Sequence, residues 1–175
     1  TNPGKSDGDS RGVIYNAYGS VDYSGTLTSV VNDGIISATR RGSGTAVALD
    51  LTRANNGVNV RNTGSFNGSL LFGATHDTFT STSGAILGNM NMGAGNDRVS
   101  LTNTTFTGTL DLGEGSHNVA LNNTVMEGGI LLGTGATANL EVGGGSITIP
   151  TTSSLNITNG HIFGGTALNF NINAL

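Results

Sequence analysis

The stretch Asn103-Thr104-Thr105-Phe106-Thr107-Gly108-Thr109-Leu110-Asp111-Leu112-Gly113-Glu114-Gly115-Ser116-His117-Asn118-Val119-Ala120-Leu121-Asn122 decides the fold. Phe106, Gly108, Leu110 and Leu112 alternate with Thr107, Thr109 and Asp111, the period-two pattern of a strand with one buried face. Gly113-Glu114-Gly115-Ser116 interrupts that run and Val119-x-Leu121 resumes it. Asn122-Asn123-Thr124 then turns the chain into another copy of the same unit. No segment of the unit is long enough for a crossover helix.

Twenty residues before and after, the same residue classes return. Phe66, Ile86, Phe106 and Met126 form one column, Leu70, Met90, Leu110 and Ile130 a second, and Phe72, Met92, Leu112 and Leu132 a third. Gly68, Gly88, Gly108 and Gly128 keep the step, as do the turn glycines Gly73, Gly93, Gly113 and Gly133. Phe79, Val99 and Val119 follow in three units, with Leu101 and Leu121 behind them. Twenty residues cannot bury an apolar face alone, so successive units must stack, at the ~4.8 Å spacing of paired strands. The register predicts an all-β chain: a right-handed, single-stranded parallel β-helix, or solenoid, with about 20 residues per turn. Its core columns hold Phe66, Phe72, Phe106, Leu110, Leu112, Val119 and Leu121. Asn103 and Asn123, each followed by Thr, form a column whose stacked amides can bond along the axis and fix register.

Outside the regular repeats, about 60–142, the pattern loosens. Leu49, Leu51, Val58 and Val60 stand twenty-one residues before Leu70, Phe72, Phe79 and Ser81, which predicts one more turn with a single insertion. Ile147 to Ile149, Leu155 to Ile157, Ile162-Phe163 and Leu168 to Ile172 alternate at shorter spacing and read as narrower or irregular turns. Residues 1–10 read as a loose polar end, and 11–175 as one β-helix segment without a linker.

Composition agrees with that architecture. The 175 residues include 29 Gly, two Pro, no Cys and no Trp, with only 10% charged. Soluble domains average about a quarter charged. Mean hydropathy near zero and low charge exclude a charge-driven disordered chain, and the absence of Cys excludes a disulfide scaffold. No apolar run could span a membrane as a helix. Residues 1–61 carry six basic against five acidic residues, and 62–175 only Arg98 against six, net −4 for the chain. Such a chain has no electrostatic footprint for nucleic acid.

The repeat form Asn-Thr-x-Φ-x-Gly-x-Leu-x-Leu-Gly-x-Gly-x-Asp-x-Val-x-Leu, seen at Thr104 to Leu121 and again around Gly84 to Leu101, resembles that of passenger domains of Gram-negative autotransporters (type V secretion). The likeness covers about residues 45–145 by motif and the rest by composition. It implies a segment carried through the periplasm and outer membrane to the bacterial surface by a covalent carboxy-terminal β-barrel translocator, absent from this chain. It further implies a rigid, non-catalytic stalk or adhesin. The partner would be a host cell-surface or extracellular-matrix component, or another passenger through self-association. The carboxy-terminal turns would assist passenger folding during export.

Several residues invite a chemical reading. Gly93-Ala94-Gly95-Asn96-Asp97-Arg98-Val99 matches half of a calcium-binding glycine-rich repeat, and Asp77 is stacked with Asp97, making these two the metal candidates. Such calcium repeats recur every nine residues, and a step of twenty leaves a single carboxylate pair, so a plain glycine turn is the preferred reading. The alternative function is a polysaccharide-degrading β-helix enzyme, or a stalk attached to a protease domain elsewhere. Catalysis needs acids and bases converging on one face. Asp111, Glu114 and Glu127 read instead as isolated outward residues, and His76, His117 and His161 as solvated turn residues. No catalytic residue and no cofactor is assigned.

Overall fold

A computed structural model of the chain describes residues 13–16, 20–21, 25–38 and 46–170. The loose end expected at 1–10 lies outside them. The described residues form strands and turns without a helix, stacked as a parallel β-solenoid of about six turns of roughly 20 residues.

Each turn has three faces. Face 1 stacks Val13–Asn16, Ile35–Ala38, Ser65–Asn67, Ala85–Leu87 and Thr105–Thr107, then the later halves of the long strands Ser116–Glu127 and Thr137–Ile149, and last Thr166–Phe170. Face 2 stacks Ser20–Val21, Val47–Asp50, Ser69–Leu71, Met90–Asn91, Leu110–Asp111 and Ile130–Leu131. Face 3 stacks Ser29–Asn32, Asn59–Asn62, Thr78–Ser81 and Arg98–Thr102, the earlier halves of the two long strands, and Asn159–Ile162. Every pairing is parallel because the chain returns to each face travelling the same way.

The twenty-residue columns are the register of these ladders. Phe66, Ile86, Phe106 and Met126 are direct partners on face 1, and Leu70, Met90, Leu110 and Ile130 on face 2. Phe66, Phe72, Phe106, Leu110, Leu112, Val119 and Leu121 are all buried, inside one cluster that runs from Ile36 to Ile149. Within the core Phe79 meets Phe72 edge to face at 6.2 Å and Phe66 at 6.3 Å. At the corner between faces 2 and 3, Gly113 has φ 70°, and a Cβ there would lie 1.5 Å from the carbonyl oxygen of Gly93. Only glycine lets successive turns approach so closely.

Two details of the sequence reading change. Val60, not Val58, stacks on Phe79, nineteen residues on, and Ser81 stacks on Asn62. The chain between Leu51 and Val60 is two residues longer than between Phe72 and Phe79, and that corner absorbs the excess. The late turns are not narrower on face 1, where Met126, Ile147 and Leu168 follow at steps of twenty-one. Their irregularity sits on face 2, where a single bridge from Ile130 to Leu155 replaces a strand. Upstream the step widens to thirty, Val30 to Val60 and Ile36 to Phe66, so the twenty-residue register does not extend to those strands.

Candidate functional site

The residues singled out for chemistry meet at the corner between faces 2 and 3. A backbone N–H at a corner points away from the sheet ladder and needs another acceptor. In this corner the acceptor is the side chain stacked one turn on. The N–H of Val58 donates to Asp77 Oδ1 at 2.8 Å, that of Asp77 to Asp97 Oδ1 at 2.8 Å, and that of Asp97 to His117 Nδ1 at 3.4 Å. Ala138 donates to the Thr158 hydroxyl at 3.1 Å. An inner polar column therefore threads the core, with Asp77, Asp97 and His117 each 1% exposed.

That burial corrects the reading of His117 as a solvated turn residue. His117 points inward because its position within the unit is that of Asp97, whose side chain must reach an N–H inside the corner. His76 is an exposed turn residue, as expected, whereas His161 is exposed but lies in the strand Asn159–Ile162, paired beside Glu141, and not in a turn. His76 starts an outer ladder at the same corner, accepting from the Asn96 N–H at 2.8 Å, while Asn96 Oδ1 accepts from the Ser116 N–H at 2.9 Å.

The inner column is electrostatically tense. Burial pushes the Asp97 carboxyl up to about 7, and Asp77 one turn away adds to the rise, against the hydrogen bond from the Asp77 N–H. Burial also raises Asp77, and it lowers His117. Asp97 Oδ2 lies 3.4 Å from His117 Nδ1 and has no hydrogen-bond donor, and His117 Nε2 is buried without a partner. These directions are those of buried groups held toward their neutral forms.

As metal candidates Asp77 and Asp97 stack, but each commits one oxygen to a backbone N–H. Among the described residues no three His, Cys, Asp or Glu side chains gather to hold a metal ion. Asp111 lies on face 2, where it accepts from the Gly113 N–H at 3.1 Å. Glu114 is in the glycine turn and Glu127 on face 1, so the fold separates these carboxylates around the rod.

The corner between faces 3 and 1 carries the amide column. Asn123 Nδ2 donates to Asn103 Oδ1 at 2.7 Å, and both residues adopt left-handed backbone, φ 47° and 50°. Inside the same corner runs a buried ladder that the sequence reading missed. Asn32 donates to Asn62 Oδ1, Asn62 to the Ser81 hydroxyl, and Thr104 to that same hydroxyl, at 2.8 to 3.0 Å. Thr124 continues the corner, donating to the Leu101 carbonyl at 3.0 Å. A third chain of amides, Asn118, Asn139 and Asn159, lies exposed on face 3.

The outer faces are small and polar. Face 1 adds Ile35, Leu87 and Val125 as exposed apolar side chains, and Leu71 and Leu131 are half-buried on face 2. A shallow hollow on face 3 is lined by Arg98, Asn118, Asn139 and Glu141. Comparison with protein-family models, curated proteins and solved structures finds no match to this chain.

Proposed function

We propose that the chain is a rigid, non-catalytic stalk or adhesin segment, the β-helical part of an autotransporter passenger held at the bacterial surface. In this reading a covalent carboxy-terminal β-barrel outside the chain delivers it. Its partner is a host cell-surface or extracellular-matrix component, or another passenger. The observation that supports the reading most is the parallel stack from Ile36 to Ile149, in which, among the described residues, Asp77, Asp97 and His117 belong to the inner column and Asp111, Glu114 and Glu127 stand apart. Such a molecule keeps a fixed length and presents repeated hydroxyls and amides, which suits spacing and adhesion better than turnover.

The test is display of residues 1–175 fused to a translocator barrel on a non-adherent bacterium. Adherence to matrix proteins or host cells, or settling of the cells, above that given by the barrel alone is the expected outcome. Cleavage of an acidic polysaccharide by the displayed segment would favour the enzyme reading and end this one. The turns from Ser146 onward are proposed to assist folding during export. Deleting 146–175 in a secreted passenger should lower the amount of folded protein displayed, and undiminished display would sink that role.

A further inference from the structure

Outside the inner column, Ser69 is the one buried side chain among the described residues whose polar atom has no hydrogen-bond partner. It is 3% exposed, and an orphaned hydroxyl of this kind costs free energy until something outside the chain completes it. Ser69 lines a shallow groove of about 460 Å³ on face 2, which runs along the rod from Val47 to Leu131. Small-ligand sites enclose roughly 300–1,000 Å³. The polar groups of the groove are already oriented. Asn89 Oδ1 accepts from the Thr109 N–H at 3.0 Å, and Asn91 Oδ1 from the Gly93 N–H at 2.8 Å. Both amide NH2 groups are thereby left without a partner among the described residues, as are the Thr109 hydroxyl and the second oxygen of Asp111. Leu71, Asn91, Asp111 and Leu131 form one register column, with apolar side chains at its two ends.

We propose that this groove binds an uncharged, extended, β-linked glycan, one sugar ring to a rung. A sugar ring presents hydroxyls at its edge and C–H groups on its faces. The groove offers free amide donors, hydroxyls and a carboxylate oxygen for the first, and Leu71 and Leu131 for the second. Spacing favours a glycan over a peptide. Rungs stand ~4.8 Å apart, close to the advance of one ring along an extended β-1,4-linked chain, whereas a peptide strand advances ~3.3 Å per residue and falls out of step with them. Charge favours an uncharged glycan over an acidic one. No Lys, Arg or His lines the groove, and Asp111 would repel a uronate with no cation to answer it. The Ser69 hydroxyl adds selectivity, because a buried polar group that only the ligand can pair discriminates against ligands lacking a hydroxyl there. The inference rests on the adhesin reading and names the chemistry of the partner.

Calorimetric titration of the 175-residue chain tests it, with β-1,4-linked hexamers of glucose, xylose, mannose and N-acetylglucosamine and with a galacturonate hexamer. The expected result is saturable one-to-one binding of an uncharged hexamer, with its disaccharide at least about tenfold weaker and no binding of the galacturonate. Asn91→Ala and Thr109→Val should each weaken binding about tenfold. Thr105→Val, on the exposed surface of face 1, should leave it unchanged, with circular dichroism showing every variant folded. Ser69→Ala separates a binding role from a structural one. It should raise the melting temperature of the free chain, because an orphan is removed, and still weaken glycan binding. Lower stability with unchanged affinity would assign Ser69 to the fold and overturn its part in the site. Failure of all four uncharged hexamers to bind, preference for the galacturonate, or binding lost in Thr105→Val and kept in the groove variants would overturn the proposal. Any of these would leave the stalk reading to its own display assay. Binding followed by shortening of the hexamer would keep the groove and end the non-catalytic reading.

Discussion

Asp97 shows how one residue couples the fold to proton concentration. Its carboxyl titrates near 7 when folded, against an ordinary value of 3.8, so the folded chain holds the proton more tightly than the unfolded one. That contribution is full below pH 3.8 and is lost as pH rises toward 7. Asp77 is raised and acts in the same sense, whereas His117 is lowered and loses stability as pH falls through 6.5. Asp97 acts alone above 6.5 and His117 offsets it below, so thermal stability should rise as pH is taken from 7.5 to 6.5. Asp97→Asn keeps the Oδ1 acceptor for the Asp77 N–H and needs no proton. Its melting temperature should therefore depend less on pH and match or exceed the native value at pH 7.5. Parallel pH profiles for the two proteins would refute the raised titration of Asp97. Gly113 offers a steric contrast with Gly135. Both have positive φ, but an added Cβ at Gly113 meets the Gly93 carbonyl, while at Gly135 nothing lies within 4 Å. Gly135→Ala should cost about 1 kcal/mol from backbone strain alone, and Gly113→Ala well beyond that, measured by denaturant unfolding.

Among the elements, the corners account for most of what the sequence did and did not disclose. The strands were legible because a twenty-residue column is a register: Phe106 must stack between Ile86 and Met126 once each turn has the same length. Thr104 and Thr124 were visible as part of the Asn-Thr corner. Asn32 and Asn62, which extend that ladder through Ser81, were not, because a thirty-residue step separates those two and hides them from a twenty-residue search. The same limit applies to His117. A glycine-rich turn on paper gives no sign of which residue faces in, and only the stacked N–H groups of Val58, Asp77 and Asp97 show that this position is interior. Corner polarity also makes a prediction. Asn123 holds left-handed backbone and bonds Asn103 outside, so Asn123→Ala should be more destabilising than Asn123→Gly, by about 1 kcal/mol in chemical denaturation. Equal losses would assign the position to the amide bond and not to the backbone.

For the whole molecule, stability is a sum along one axis, because each turn touches only its neighbours. A defect in the middle severs the stack, while one at the end removes a single interface. Leu110, 1% exposed between Met90 and Ile130, is a middle position. Leu110→Asp buries a charge with no partner and should abolish folding, whereas Leu110→Ala should cost about 2–5 kcal/mol. A Leu110→Asp chain of native stability would mean that the core column is misplaced. The same one-dimensional logic orders the local openings. Among the described residues the turns from Ala85 to Val142 have a packed rung on both sides, and those carrying Asn159–Ile162 and Thr166–Phe170 have one. Their amides open with the loss of a single interface, and the exposed Ile162 and partly buried Leu168 add little to hold them closed. Hydrogen exchange, measured where the chain is monomeric, should therefore run fastest from 155 to 170. It should slow turn by turn toward the Phe106 rung and reach the global unfolding free energy there. Uniform protection along the rod would mean that the turns unfold as one cooperative unit, and nearest-neighbour additivity would fail for this solenoid.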